Sequence, residues 1–159
     1  MTAVLVTGMS GAGKSTVLAE LARRGHSAVD TDYGGWSTEV PDPDSGGFRQ
    51  LWREDRIDRL LRNHAAGTLF ISGTAENQVA FYPRFAAVVL LTAPAHVLLD
   101  RAATRTGNPY GRSERDRALI AEHIRTVEPL LRRSATAEID TRRPVAEIAD
   151  LLEQIASLA

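Results

Sequence analysis

No cysteine occurs in the chain, which excludes disulfides, thiolate metal sites and a thiol nucleophile. Lysine is almost as scarce: of 19 basic residues one is lysine, Lys14, and the rest are arginine. The 20 acidic residues leave a net charge of −1, so no broad positive field argues for nucleic acid or an acidic membrane. Aromatic residues make up only 6%, and no basic stripe interleaves with them as single-strand binding requires. Long hydrophobic runs are missing too. The longest apolar stretch, residues 85–99, is broken by Thr92, Pro94 and His96 and is too short to span a bilayer. The opening MTAVLVTG lacks the basic start of a secretory signal. The four histidines scatter one per region, with no metal-ligand spacing. These absences lead to the expectation of a cytoplasmic protein without a membrane or nucleic-acid partner. The oligomeric state stays open.

What is present is concentrated near the start. After the apolar run Ala3-Val4-Leu5-Val6 comes GMSGAGKST, residues 8–16. Gly8, four residues, Gly13, Lys14 and Ser15 form the phosphate-loop pattern. Its glycines let the backbone amides of Gly8, Ser10, Gly11, Ala12 and Gly13 turn inward around phosphates, at the positive end of the following helix. The one lysine of the chain falls where a flexible ammonium reaches β- and γ-phosphates, a task for which the planar arginine fork substitutes poorly. Ser15 supplies a hydroxyl for Mg²⁺, and Thr16 is placed to touch the α-phosphate.

Along the rest of the chain, strand-like runs alternate with helical patterns, the mark of parallel βαβ units. Strands are expected at residues 4–7, 27–30, 68–72, 87–91 and 138–140. Helices are expected at 14–24, 46–63, 94–105, 117–133 and 144–158. At 159 residues the chain fits one domain, 1–159, with a flap and helix at 33–63 and a lid at 106–116. Both irregular stretches would cover the carboxyl ends of the strands, where open α/β sheets bind ligands. The second strand ends in Asp30-Thr31-Asp32, and alternation sends both carboxylates to one side. One of them could help hold Mg²⁺ through water beside Ser15, and the other could orient an attacking hydroxyl or accept its proton.

With the phosphate loop and DTD in place, the chain resembles the adenylate kinase/shikimate kinase group of small P-loop kinases, most closely the shikimate kinase branch. The likeness covers nearly the whole length. It implies a three-layer α/β sandwich with a five-stranded parallel sheet of order 2-3-1-4-5, helices on both faces and a short lid. It also implies ATP and Mg²⁺ as cofactors. GGFRQLWREDRIDRLL resembles the substrate helix of that group, so Arg49, after Phe48, would bind an acceptor carboxylate. Arg105-Thr106-Gly107-Asn108 resembles the opening of the lid, which would lay Arg105 over the adenine, with Arg142-Arg143-Pro144 beside it. There are departures. Three glycines at the end of the third strand become Ser72-Gly73-Thr74, a second carboxylate-clamping arginine aligns with Val127, and the lid's Arg-Pro aligns with Asn108-Pro109. Arg112 is taken to stand in for the missing lid arginine.

The expected activity is therefore transfer of the ATP γ-phosphoryl group to a hydroxylated or phosphorylated metabolite other than shikimate. Lys14, Asp32 and Arg112 would be catalytic. Gly8, Ser10, Gly11, Ala12, Gly13, Lys14, Ser15, Thr16, Arg105 and Arg143 would hold the nucleotide. Asp32, Arg49, Gly73 and Thr74 would hold the acceptor, and Ser15 and Asp30 the metal. The acceptor pocket would also draw on Trp36 or Trp52 and on the polar turn Thr74 to Gln78. A nucleoside or nucleoside monophosphate kinase is the alternative, because Arg49, Arg53 and Arg56 would share one face of the 46–63 helix. A P-loop ATPase or nucleotide-sensing module without an acceptor is the alternative of another class.

Overall fold

A computed structural model describes residues 2–44, 47–106 and 108–159. Five parallel strands form the central sheet: β1 (Thr2–Thr7), β2 (Ser27–Asp30), β5 (Thr68–Ser72), β6 (Ala87–Thr92) and β7 (Ala137–Asp140), in the order β2-β5-β1-β6-β7. Read over these five strands alone, the order is 2-3-1-4-5, as expected. β1 lies in the middle, with Val4 paired to Phe70 on one side and Ala87 on the other. Such a strand has no solvent face, so it is apolar at successive positions. Alternation divides it between two cores. Val4 and Val6 join Phe70 and Val89 under α1 (Lys14–Arg23) and α6 (Val145–Leu158), while Leu5 joins Leu69, Ile71 and Val88 on the opposite face.

That opposite face holds the main departure from the expected fold. Residues 46–63 do not make one helix. Phe48–Trp52 is a strand, β4, paired antiparallel with β3 (Ser37–Pro41), and only Glu54–Asn63 is helical, as α2. Gly46, where the helix was expected to begin, lies outside the described residues. The break falls at Arg53, whose backbone is extended (φ −75°, ψ 98°) and whose N–H donates to the Trp36 carbonyl at 2.8 Å. Glu54 and Asp55 then occupy the first turn of α2, where carboxylates complement the helix dipole. Trp52 is buried against Phe81 and Phe85, so the β4 residues gain more from this hairpin than from a helical face.

A second difference lies at residues 117–133. The helix starts earlier, capped by Ser113, whose Oγ accepts from the Asp116 N–H at 3.0 Å, and it divides into α4 (Glu114–Thr126) and α5 (Glu128–Ser134). Pro129 causes the division, since its ring has no N–H and crowds the preceding turn. α3 (Ala95–Thr104) follows β6, and a 3-10 turn at Gln78–Arg84 links β5 to β6. Among the described residues no helix is long and apolar enough to cross a membrane.

α1 is fastened to α6 by charge. Arg24 donates to Glu20 at 3.0 Å, to Asp150 at 2.7 Å, to Glu153 and to the Ala146 carbonyl at 3.1 Å, and His26 meets the second oxygen of Glu153 at 2.9 Å. Arg23 and then Arg24 hold the Glu20 carboxyl down to about 2 from an ordinary 4.5, and His26 and Arg24 depress Glu153. Acids with lowered folded-state pKa values contribute stability above their ordinary pKa and lose it as pH falls through the lowered one. The urea midpoint is therefore expected to drop as pH is taken from about 5 toward about 2. Arg24→Ala should lower the midpoint at neutral pH and make the acid-induced drop shallower. Circular dichroism titrations in urea across that range check both slopes.

Candidate active site

Residues 8–13 connect β1 to α1, and at Gly8 and Gly11 the surrounding backbone leaves no room for a side chain. Gly11 has φ 86°, and a Cβ there would stand 2.3 Å from the Leu98 carbonyl oxygen. The loop is therefore wedged against α3, with its amides available for phosphate. Lys14 folds back over it, donating to the carbonyls of Gly8 at 2.6 Å and Met9 at 3.1 Å. Burial lowers the ammonium's pKa, the charges of Asp32 and Asp30 oppose that shift, and Arg105 adds to it. All three neighbours thus act on one ammonium.

The carboxylates stand where β2 ends. Asp30 Oδ2 accepts from Ser15 Oγ at 2.5 Å, and Asp30 Oδ1 accepts from the Asp32 N–H at 3.1 Å. This turn separates the two side chains: Asp30 goes to the phosphate loop, and Asp32 accepts from Gln50 Nε2 at 2.9 Å. Ser15 and Asp30 are hard oxygen donors side by side, the kind of set Mg²⁺ takes while keeping several waters. Next to them, paired in register with Asp30, the buried Ser72 hydroxyl has no hydrogen-bond partner. The donor set fits Mg²⁺. It is not a dense acidic cage, since no group of three or more His, Asp or Glu gathers among the described residues.

Between the carboxylates runs a buried link. Thr31 Oγ1 donates to the Ser72 carbonyl at 2.7 Å and accepts from Trp52 Nε1 at 2.9 Å. Gly73 passes under it so closely that a Cβ would lie 2.3 Å from Thr31 Oγ1 and 3.0 Å from Trp52 Nε1. Trp52 is thus a core residue, and Trp36 packs at the edge of the same cluster.

The polar turn after β5 is largely consumed internally. Thr74 Oγ1 donates to the Gly8 carbonyl at 2.6 Å. Gln78 bonds Ala75 N, Thr7 and Tyr82. Asn77 pairs with both backbone groups of Trp52 and with Glu54. Glu76 takes the Arg49 guanidinium through both oxygens. Arg49 therefore sits on a strand rather than on a helix, bound to Glu76. With Arg49 on β4, Arg53 at the break and Arg56 on α2, the three arginines do not share a helix face. Arg56 donates to the Gly35 carbonyl at 2.7 Å.

A cleft of about 320 Å³ opens beside the loop, lined by Ala12, Gly13, Thr16, Val17, Arg101, Thr141, Arg143, Pro144, Val145 and Ile148. Arg143 is among its walls, and Arg105 is not. α3 ends at Thr104, and Arg105 turns extended (φ −62°, ψ 149°), so the two arginines aim differently. Arg101 stays on the helix and donates to Thr141 Oγ1 at 2.7 Å and to the Thr141 carbonyl at 2.8 Å. Arg105 reaches Ser10 Oγ at 3.1 Å and is braced by the carbonyls of Asn108 at 3.2 Å and Tyr110 at 2.6 Å. Arg112 turns back and donates to the Arg105 carbonyl at 2.7 Å. Gly107 lies outside the described residues. Gln50 was missed from the sequence. The signal for it was the alternation of β-branched Thr38 and Val40 with polar Ser37 and Glu39, which makes the neighbouring segment a hairpin partner.

Solved structures share this architecture across the full length. A shikimate kinase from Acinetobacter baumannii in complex with shikimate matches with a TM-score of 0.63 at 22% identity, covering 99% of this chain and 92% of the other. A gluconokinase from Sinorhizobium meliloti matches at 0.62 and 24%, covering 99% and 93%. A sugar kinase from Janibacter sp., in an unliganded structure, matches at 0.61 and 18%, covering 100% and 96%. No curated protein matches the sequence itself. The fold is therefore that of the small P-loop kinases to which the sequence was likened. Residues 4–122 match the family model described as AAA domain. Since that span is most of the chain and contains the phosphate loop, DTD and the lid segment, the protein belongs to this AAA domain family of P-loop proteins.

Proposed function

We propose that the protein is an ATP- and Mg²⁺-dependent kinase that phosphorylates a hydroxyl of a small metabolite. The observation carrying this reading is the division of labour at the end of β2: Asp30 is bonded to Ser15 of the phosphate loop, while Asp32 is bonded to Gln50 of the β3–β4 hairpin. A nucleotide-hydrolysing switch has no use for a second carboxylate bonded to a hairpin outside the phosphate loop.

In this reading the base and ribose of ATP occupy the cleft walled by Thr16, Arg143 and Pro144. The phosphates lie in the amides of residues 8–13 with Lys14 across them. Ser15 and Asp30 would hold Mg²⁺, which when bound draws charge off the β- and γ-phosphate oxygens. Asp32 takes the proton from the acceptor hydroxyl as its oxygen bonds to the γ-phosphorus. The bond from that phosphorus to the β-bridging oxygen breaks, and ADP leaves. Catalysis of this kind is positioning and electrostatics. Arg105, held against Ser10 by two lid carbonyls, supplies the lid cation for the moving phosphoryl group in place of Arg112.

The test is an ADP-release screen over polyols, sugar acids, shikimate, nucleosides and nucleoside monophosphates, with Lys14→Met as the blank. Acceptor-dependent release above that blank is expected. A slow basal rate that no acceptor changes would favour an ATPase or sensing module. Asp32→Asn should cut kcat about 10²-fold or more with the ATP affinity nearly intact. Equal loss of both would move Asp32 to the metal side.

The two arginines separate in a second comparison. Arg105→Ala should lower kcat by about 10²- to 10³-fold, and Arg112→Ala by less than about 5-fold. Single-turnover rates at saturating ATP read the difference, and the reverse order would return the role to Arg112.

A further inference from the structure

We infer that the acceptor is a neutral polyhydroxy compound, without a carboxylate or phosphate, and that Gln50 rather than an arginine selects it. The inference rests on the kinase reading above and names its substrate class.

Side chains on a strand alternate, so β4 has two chemically different faces. Phe48, Gln50 and Trp52 share one, and Arg49 and Leu51 share the other. Trp52 fixes which is which, because its indole lies against Thr31 and Gly73 at the ends of β2 and β5. From the same face, the Gln50 amide reaches Asp32. Arg49 leaves from the opposite face, and both of its bonding nitrogens are spent on Glu76. Asp42 and Asp44 lie close enough to act on its charge as well. An anionic acceptor would have to displace a bidentate carboxylate from this guanidinium, on the wrong side of the hairpin.

On the Gln50 side the bonded group is instead a carboxylate, Asp32. Among the described residues neither Asp30 nor Asp32 has an ion-pair partner within 4.0 Å. The ammonium their charges act on, Lys14, belongs to the phosphate loop. Arg56 is engaged with the Gly35 carbonyl, and Val127 stands between α4 and α5 packed toward the core. A carboxylate or phosphate bonded to the Gln50 amide would meet the Asp32 carboxylate there.

Neutral hydroxyls fit the same groups without charge. With one N–H of Gln50 on Asp32 Oδ1, the other N–H and the Oε1 lone pairs are free to bond one hydroxyl. Asp32 Oδ2 accepts from a second hydroxyl next to it. Adjacent hydroxyls, as on a sugar or polyol, satisfy both residues at once.

The experiment measures kcat/KM by ADP release for acceptor pairs that differ in charge: sorbitol and gluconate, methyl shikimate and shikimate, a nucleoside and its 5′-monophosphate. The neutral member should lead by about 10-fold or more in the pair that is turned over. Gln50→Ala should raise the acceptor KM by about 10-fold and leave the ATP KM unchanged, since one side-chain hydrogen-bonding group to the acceptor is lost. Gln50→Asn, too short to span the same gap, should do so in part. Arg49→Gln should change the acceptor KM by less than about 2-fold, which thermal unfolding accompanies to show that the hairpin holds. An anionic acceptor preferred by the wild type and lost in Arg49→Gln overturns the inference. So does an acceptor KM that ignores both Gln50 variants. If ATP binds but no acceptor of either charge is phosphorylated, the kinase reading itself fails and takes this inference with it.

Discussion

The hydrogen bond from Trp52 Nε1 to Thr31 Oγ1, continued by Thr31 to the Ser72 carbonyl, governs the geometry of everything above the sheet. It is buried, with Thr31 Oγ1 accepting from the indole and donating to the carbonyl. Leaving the indole N–H or the threonine hydroxyl unpaired there would cost about 1–3 kcal/mol. Thr31 can keep its place only between Asp30 and Asp32, so the link also fixes where those carboxylates leave the chain. Trp52 can keep its place only if β4 is a strand in register with β3, which sets the side from which Gln50 emerges. Gly73 completes the constraint, because any side chain there would strike both partners. One donor–acceptor chain thus joins Asp30, Asp32 and the hairpin.

Most of the fold was legible because parallel strands declare themselves as short apolar runs. TLFIS and AVVLL have no other easy home than the middle of a sheet. The phosphate loop was legible for a different reason, since its chemistry requires particular residues at particular spacings. The hairpin was not. Phe48 and Trp52 are four apart, a separation that suits a helix face and a strand face equally, and Leu51 adds to the helical appearance. What decides between them is tertiary: Thr31, Phe81 and Phe85 wait for an indole at position 52. Sequence spacing carries no record of that. The same holds for residues 117–133, where Pro129 signalled a break but the apolar pattern ran through it.

The misreading had a chemical consequence larger than its structural one. A helix over residues 46–63 would gather Arg49, Arg53 and Arg56 on one face and describe a site for anions. A strand through residue 52 scatters them and brings forward an amide. Under the proposed reading, charge selectivity therefore hangs on a single alternation of backbone direction.

The lid shows the same logic at its other end. Had α3 continued one residue further, Arg105 would lie on the same face as Arg101, over the cleft lined by Thr16 and Pro144. Because α3 stops at Thr104, the guanidinium swings to Ser10. There it stands close enough to Lys14 to lower that ammonium's pKa. Two cations beside one phosphate loop repel each other until an anion arrives. Under the proposed reading, that anion is the highly charged end of a nucleoside triphosphate. Asp32 and Asp30 moderate that repulsion, their charges opposing the fall in the Lys14 pKa that burial and Arg105 bring.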